Sequence, residues 1–443
     1  MPNQERQAPT GFLSTIKQLG PGMILSGGIV GSGELIATTT LGARVGFVAL
    51  WLILISCVIK VAVQEHLGRH TILTGETTFR ALDRVPGPRW RASWVVWCWM
   101  IMFVGVTFQQ GGIIGGVGQV FHLVWPQLSV AAWAIVIAIG TAVLLTRGRY
   151  GFIEASSTFM VVSFTIITVA GALLLVWTPY AVRLKDVVDG FRFQLPAGGL
   201  AVAFAAFGIT GVGATELIYY PYWCLEKGYA RFAGRNDGSA AWQKRVQGWL
   251  RVMRIDVLVA MVVYTLATVS FYVLGASVLF GMGKIPAGYG MVETLSNIYT
   301  MTLGPWAYYL FLVGAFFVLY STVFSANASN SRVLVDFLDL VGFLKIHSEQ
   351  QRWLFVRVAV VVLLAIYTLW YLLVGEPVLM VLVGGTAQAC MLPIIGFSTI
   401  YLRYKHGDPN LRGRLWTAVA LWVSSTAMLA FAMYTLVSRL RNL

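Results

Sequence analysis

The sequence predicts an all-α polytopic membrane protein of about eleven transmembrane helices, and three observations carry that prediction. Of 443 residues, 58% are hydrophobic and only 11% charged, against roughly a quarter charged in a soluble domain. Several apolar stretches exceed the ~20 residues needed to cross ~30 Å of hydrocarbon at 1.5 Å per residue. These stretches are continuous rather than alternating, so they read as helices and not as barrel strands.

The spans fall at 21–40, 45–64, 93–122, 129–146, 154–177, 198–223, 255–280, 303–328, 353–374, 377–402 and 415–437. A polar tail, 1–20, precedes them. Of the 32 Lys and Arg residues, 23 lie in the tail and the connections on its side of the membrane, and seven lie on the opposite side. Cationic loops stay in the cytoplasm, which predicts an inner (cell) membrane protein with its N-terminus inside and its C-terminus outside. The net charge of +14 does not indicate nucleic acid, because the basic residues alternate between loops instead of covering one face. The 226–254 connection is basic and reads as a solvated loop near the anionic inner leaflet. Cys57, Cys98, Cys224 and Cys390 sit in or at the ends of apolar segments, without disulfide or metal spacing. The N-terminus shows no cleavable-signal pattern, and no cofactor motif is present.

Most spans are Leu/Val/Ile/Ala stock, but the first and sixth are not. The first reads Ser26-Gly-Gly-Ile-Val-Gly-Ser-Gly-Glu-Leu-Ile36, and the sixth Gly208-Ile-Thr-Gly-Val-Gly-Ala-Thr-Glu-Leu-Ile218. Mid-helix glycine costs about 1 kcal/mol relative to alanine, so clustered glycines invite unwinding. Glu34 and Glu216 follow the glycines, and a carboxylate at membrane depth faces a cavity or a partner. Matched Gly-interrupted spans in two halves are the sequence sign of a secondary transporter's midplane site. The pair opens two five-span halves, 21–177 and 198–402, with 415–437 appended; an odd number of spans per half makes the repeats inverted.

The remaining polar residues carry weaker signals. Lys60, one turn from the end of the second span, reads as a snorkelling side chain. Gln109 and Gln110 either line a pathway or bond between helices. Asn327, Asn330 and Arg332 read as capping or snorkelling groups, and tryptophans near span ends form interfacial belts. No ring of charges or filter motif suggests a channel. No nucleophile–base pair suggests an enzyme.

Several segments resemble the Nramp family of proton-coupled divalent-metal transporters, whose fold is of the LeuT type. They are Val63-Gln-Glu-His-Leu-Gly-Arg69 with Leu73-Thr-Gly75, then Gly20-Pro-Gly22, Arg149-Tyr-Gly-Phe-Ile-Glu154, Gly213-Ala-Thr215, and Gln388 with Pro393. The resemblance implies alternating access, proton coupling, and a substrate site formed by Gly31, Ser32, Gly33, Glu34, Gly213, Ala214, Thr215, Glu216, Tyr219 and Gln388. It departs from the family at that site. The family's Asp-Pro-Gly-Asn is Gly31-Ser32-Gly33-Glu34 here, and its Val-Met-Pro-His is Glu216-Leu217-Ile218-Tyr219. The aspartate, asparagine and thioether ligands are gone, and soft sulfur is what selects later transition metals. Tyr219 replaces the family's histidine, which leaves Glu34, Glu216, Glu154 and Arg357 as the candidates for proton coupling.

Two substrates fit the altered site. The backbone N–H groups of Gly31–Gly33, at a helix N-terminus, favour a small anion such as bicarbonate or a short carboxylate; the pattern also resembles the Gly-Ser-Gly turn of amino-acid transporters of the same superfold. Alternatively, Glu34 and Glu216 with freed carbonyls would hold a hard divalent cation, Mg²⁺ or Mn²⁺. The partners expected are this solute, a coupling proton or cation, and the bilayer; the sequence leaves the oligomeric state open and is compatible with a monomer.

Overall fold

In a computed structural model, residues 5–195, 198–407, 411 and 413–441 are described. Ten helical runs among them are long and apolar enough to cross a membrane. The first, Pro21–Thr74, holds 54 residues and both of the first two expected spans. Gly46, at φ +61°, redirects the chain there, and a short 3-10 turn, Gly46–Ala49, separates two limbs. The limb before the turn is α1 (Pro21–Ile29, Val30–Thr38 and Thr39–Val45). The limb after it is α2 (Leu50–Ile59 and Val61–Thr74).

The later helices are α3 (Trp94–Val124), α4 (Val130–Arg147), α5 (Tyr150–Leu174), α6a (Leu200–Ile209), α6b (Ala214–Lys227) and α7 (Ala240–Leu274). They continue with α8 (Ala307–Leu340), α9 (Glu349–Val374), α10 (Pro377–Lys405) and α11 (Leu415–Arg441). A two-residue ladder, Arg89–Trp90 against Ala92–Ser93, is a small departure from the all-helical pattern.

Three expectations change. The 226–254 connection is not simply a solvated loop, because it holds a short helix, Tyr229–Ala233, and the first turns of α7. The Ser239 hydroxyl caps α7 by accepting from the Trp242 N–H, and Trp242, Val246, Trp249 and Leu250 bury one face. That spacing is an amphipathic stripe, which lets the helix continue past its apolar part. The second change concerns the first span. It does not unwind at its glycines but widens into π-helix over Val30–Thr38. The Thr38 hydroxyl donates to the Gly33 carbonyl at 2.7 Å and helps hold that wider turn. The third is Lys60, which is wholly buried and does not snorkel.

The long helices form one continuous buried core. α3 lies along α10 and α9, α6a along α10, and α8 against α5 and α1. Small residues allow the close approach: a Cβ added at Gly112 of α3 would stand 2.7 Å from the Pro377 carbonyl oxygen. Close backbone packing of this kind drives association where lipid removes the hydrophobic advantage. Ile101, Ile139, Phe159 and Ile166 point outward and are exposed, as expected of side chains that face lipid.

Candidate functional site

The break of the sixth span follows from one residue's backbone. Gly211 adopts φ +64°, which side chains other than glycine rarely tolerate. A Cβ there would also lie 2.8 Å from the Cys57 Cα. Residues 210–213 are therefore non-helical, and the carbonyls ending α6a lack their usual partners. Lys60 supplies one. It stands at the corner between the two segments of α2, and its ammonium donates to the Phe207 carbonyl at 2.7 Å and the Thr210 carbonyl at 2.6 Å. The Ser56 hydroxyl lies 3.2 and 3.0 Å from the same two oxygens. A cation at a helix C-terminus is favoured by the dipole.

Both predicted carboxylates come to this break. Glu34, fully buried, accepts from the Gly211 N–H at 3.3 Å and the Thr268 hydroxyl at 2.8 Å through Oε1. Glu216, in the first turn of α6b, accepts from the Tyr219 hydroxyl at 3.2 Å through Oε1. The Oε2 atoms of both glutamates are buried without hydrogen-bond partners. Lys60 interacts electrostatically with both, and the two carboxylates with each other. Gln388 accepts from the Thr215 N–H at 3.1 Å and donates to the Gln109 side chain at 3.0 Å. Gly213 lies between the Glu216 and Gln388 carboxyl and amide oxygens; a Cβ there would stand 2.5 Å from each.

The first-span glycines are used differently from the expectation. The Gly31 N–H donates to the Thr322 hydroxyl at 2.8 Å, so it is not free for an anion. A Cβ on Gly31 would meet the Thr322 hydroxyl and stand 2.6 Å from the Val318 carbonyl oxygen. On Gly33 it would stand 2.9 Å from the Ile209 carbonyl oxygen. These glycines let α1 pack on α8 and α6a. The Ser32 side chain lies outside the described residues. Ala214 is fully buried at the start of α6b.

Two candidates for proton coupling stand elsewhere. Glu154 pairs with Lys227 at 2.6 Å, and Arg357 lines a separate basic cavity.

Three contributors stand out only in the structure. Lys60 reads as peripheral in the sequence, although an ionisable residue inside a span signals a site. Asp256 of α7 accepts from the Gly20 and Gly22 N–H groups at 2.8 and 2.7 Å and from the Tyr220 hydroxyl at 3.0 Å, tying α1 to α6b. Gln64, one turn beyond Lys60, is buried with both amide atoms unpartnered; a second polar residue one helical turn from Lys60 is the signal the sequence offers. Among the described residues no three His, Cys, Asp or Glu side chains gather as a metal cluster.

Residues 22–438 match the sequence profile of the Natural resistance-associated macrophage protein-like (Nramp) family. An uncharacterized protein of Pasteurella multocida is 23% identical over 432 residues, covering 96% of this chain and 92% of that protein. A divalent metal cation transporter MntH of Chromohalobacter salexigens is 24% identical over 285 residues, covering 64% of this chain and 60% of its own length. Among solved structures, an Eremococcus coleocola manganese transporter variant superposes with TM-score 0.69 at 15% identity, covering 98% of this chain and 89% of that one. MhsT in complex with L-phenylalanine gives TM-score 0.62 at 15% identity, covering 98% and 99%. The two superpositions show the fold, of the LeuT type.

Proposed function

We infer the activity of this chain from one premise: it belongs to the Nramp family, and so is an integral membrane transporter and not an enzyme. We propose that its substrate is a small oxoanion, bicarbonate or a short carboxylate, moved by alternating access with a coupling proton. The observation that carries this reading is Lys60. Its ammonium occupies the carbonyls of Phe207 and Thr210, where a free metal ion would otherwise find oxygen ligands at the helix break. A cation fixed by the fold repels a second cation and attracts an anion.

The unpartnered polar atoms support the same reading. They include donors, the Gln64 amide and the Thr215 hydroxyl, as well as the Oε2 acceptors of Glu34 and Glu216. Bicarbonate both donates and accepts, whereas a metal ion needs acceptors alone. Since Thr322 holds the Gly31 N–H, anion binding falls to Lys60, Gln64 and Thr215 in place of the first-span glycines. Glu34 and Glu216 are the coupling carboxylates in this scheme. Within it, 21–177 and 198–402 act as the inverted halves, with the N-terminus on the cytoplasmic face of the inner membrane.

A second reading rests on the two orphan Oε2 atoms and on the relatives named as metal and manganese transporters. Two buried carboxylates would take a hard divalent cation, Mg²⁺ or Mn²⁺. Labelled-bicarbonate uptake measured beside Mg²⁺ and Mn²⁺ uptake in the same proteoliposomes separates the readings. Saturable bicarbonate flux driven by a proton gradient supports the first. Saturable metal flux without it supports the second.

A further inference from the structure

A cavity of about 740 Å³ lies where the ends of α4, α5, α6b, α8 and α9 meet. Its wall carries six arginines: Arg147, Arg149, Arg231, Arg332, Arg352 and Arg357. Only two carboxylates, Glu226 and Glu349, oppose them. Arg332 is the fixed member. Its guanidinium donates to Glu226 at 2.6 Å and to the Ala328 carbonyl at 2.6 Å, and stands 4.5 Å from the Trp223 ring centre and 5.3 Å from that of Trp353. That pairing uses Glu226. Glu349 sits in the first turn of α9, where the helix dipole already favours a negative charge.

The other five arginines have no carboxylate within 4.0 Å and no side-chain hydrogen bond among the described residues. The orientation rule explains why this end of the bundle is basic. It does not explain why five guanidinium groups without a carboxylate partner, one of them (Arg231) over the Phe232 ring, surround one recess, where their mutual repulsion is unfavourable. An anion bearing several oxygens removes that cost, because planar guanidinium forks bind phosphate oxygens two at a time. The volume suits a headgroup-sized ligand, and basic recesses between transmembrane helices hold lipid headgroups.

We propose that this recess binds a phosphate-bearing anion, supplied either by an anionic lipid headgroup or by free phosphate. The proposal does not depend on which ion the transporter carries. The test uses the full-length protein in detergent, titrated with dihexanoyl phosphatidylglycerol, with inorganic phosphate, and with dihexanoyl phosphatidylcholine as the zwitterionic control. Binding is followed by calorimetry. The variant combines Arg147→Gln, Arg149→Gln and Arg357→Gln; all three side chains are exposed, so the fold is kept, and an unchanged Tm checks this. Removing each guanidinium should weaken binding roughly tenfold. Phosphatidylglycerol binding without phosphate binding assigns the recess to lipid, and comparable binding of both assigns it to free phosphate. Neither probe binding, equal binding of phosphatidylcholine, or a variant that binds as the unmodified protein does would overturn the proposal.

Discussion

The ammonium of Lys60 lies 2.6 Å from the carbonyl oxygen of Thr210, so a side chain of α2 closes the end of α6a from within the membrane. A charge that a soluble protein would leave in water is wholly buried here. It binds the broken helix through the Phe207 and Thr210 carbonyls and interacts electrostatically with Glu34 and Glu216.

Gly211→Ala should destabilise the helix break. The position combines φ +64° with 2.8 Å from an added Cβ to the Cys57 Cα, and strain of this kind costs about 1–3 kcal/mol. Gly140→Ala is the control, since α4 leaves open space there and alanine gains about 1 kcal/mol in a helix interior. Melting in detergent should show opposite shifts. Equal shifts would remove the special role of Gly211.

Gly31→Asp with Leu217→Met restores two side chains of the family's metal site but should not restore Mn²⁺ binding. The new Cβ would meet the Thr322 hydroxyl and the Val318 carbonyl, and Lys60 still occupies the α6a carbonyls. Adding Thr322→Ala and Lys60→Met should be required before calorimetry detects Mn²⁺. Tight Mn²⁺ binding by the double variant alone would contradict this account.

Glu34→Gln and Glu216→Gln distinguish coupling from ligation. If the carboxylates carry the coupling proton, each variant keeps bicarbonate binding while transport loses its dependence on the proton gradient. If they ligate a cation, removing either charge from a buried site costs several kcal/mol, and metal binding collapses in both.

Asp256→Asn should loosen the start of α1. The carboxylate accepts two backbone N–H groups and the Tyr220 hydroxyl, and hydrogen bonds to a charged group contribute about 1.5–3 kcal/mol each. Amide exchange at Gly22 should accelerate, with residues in α10 unaffected. Unchanged exchange at Gly22 would mean that the cap is not stabilising.

The helical architecture was legible because lipid leaves the backbone few choices, and apolar length alone locates the spans. Glu34 and Glu216 were legible as charges out of place. What the glycines do was not. Gly211 breaks its helix, while Gly31 and Gly33 pack against Val318 and Ile209, and residue type cannot separate a glycine needed for its φ from one needed for close packing. Lys60 and Asp256 are obscured for a related reason. Both lie near the ends of their apolar spans, where snorkelling is the ordinary expectation, and only the packing shows that Lys60 bonds to carbonyls at the α6 break and Asp256 to the Gly20 and Gly22 N–H groups and the Tyr220 hydroxyl.

The proposed anion site depends on the Lys60 ammonium, and Lys60→Met removes that charge. Labelled-bicarbonate uptake into proteoliposomes is measured for the unmodified protein and the variant, with Mg²⁺ and Mn²⁺ uptake alongside. Removing a buried charged partner costs about 3–5 kcal/mol, so bicarbonate affinity should fall by roughly a hundredfold or more, while metal uptake stays at background in the unmodified protein. Bicarbonate flux that survives Lys60→Met, or saturable Mg²⁺ or Mn²⁺ uptake by the unmodified protein in place of it, would contradict the account.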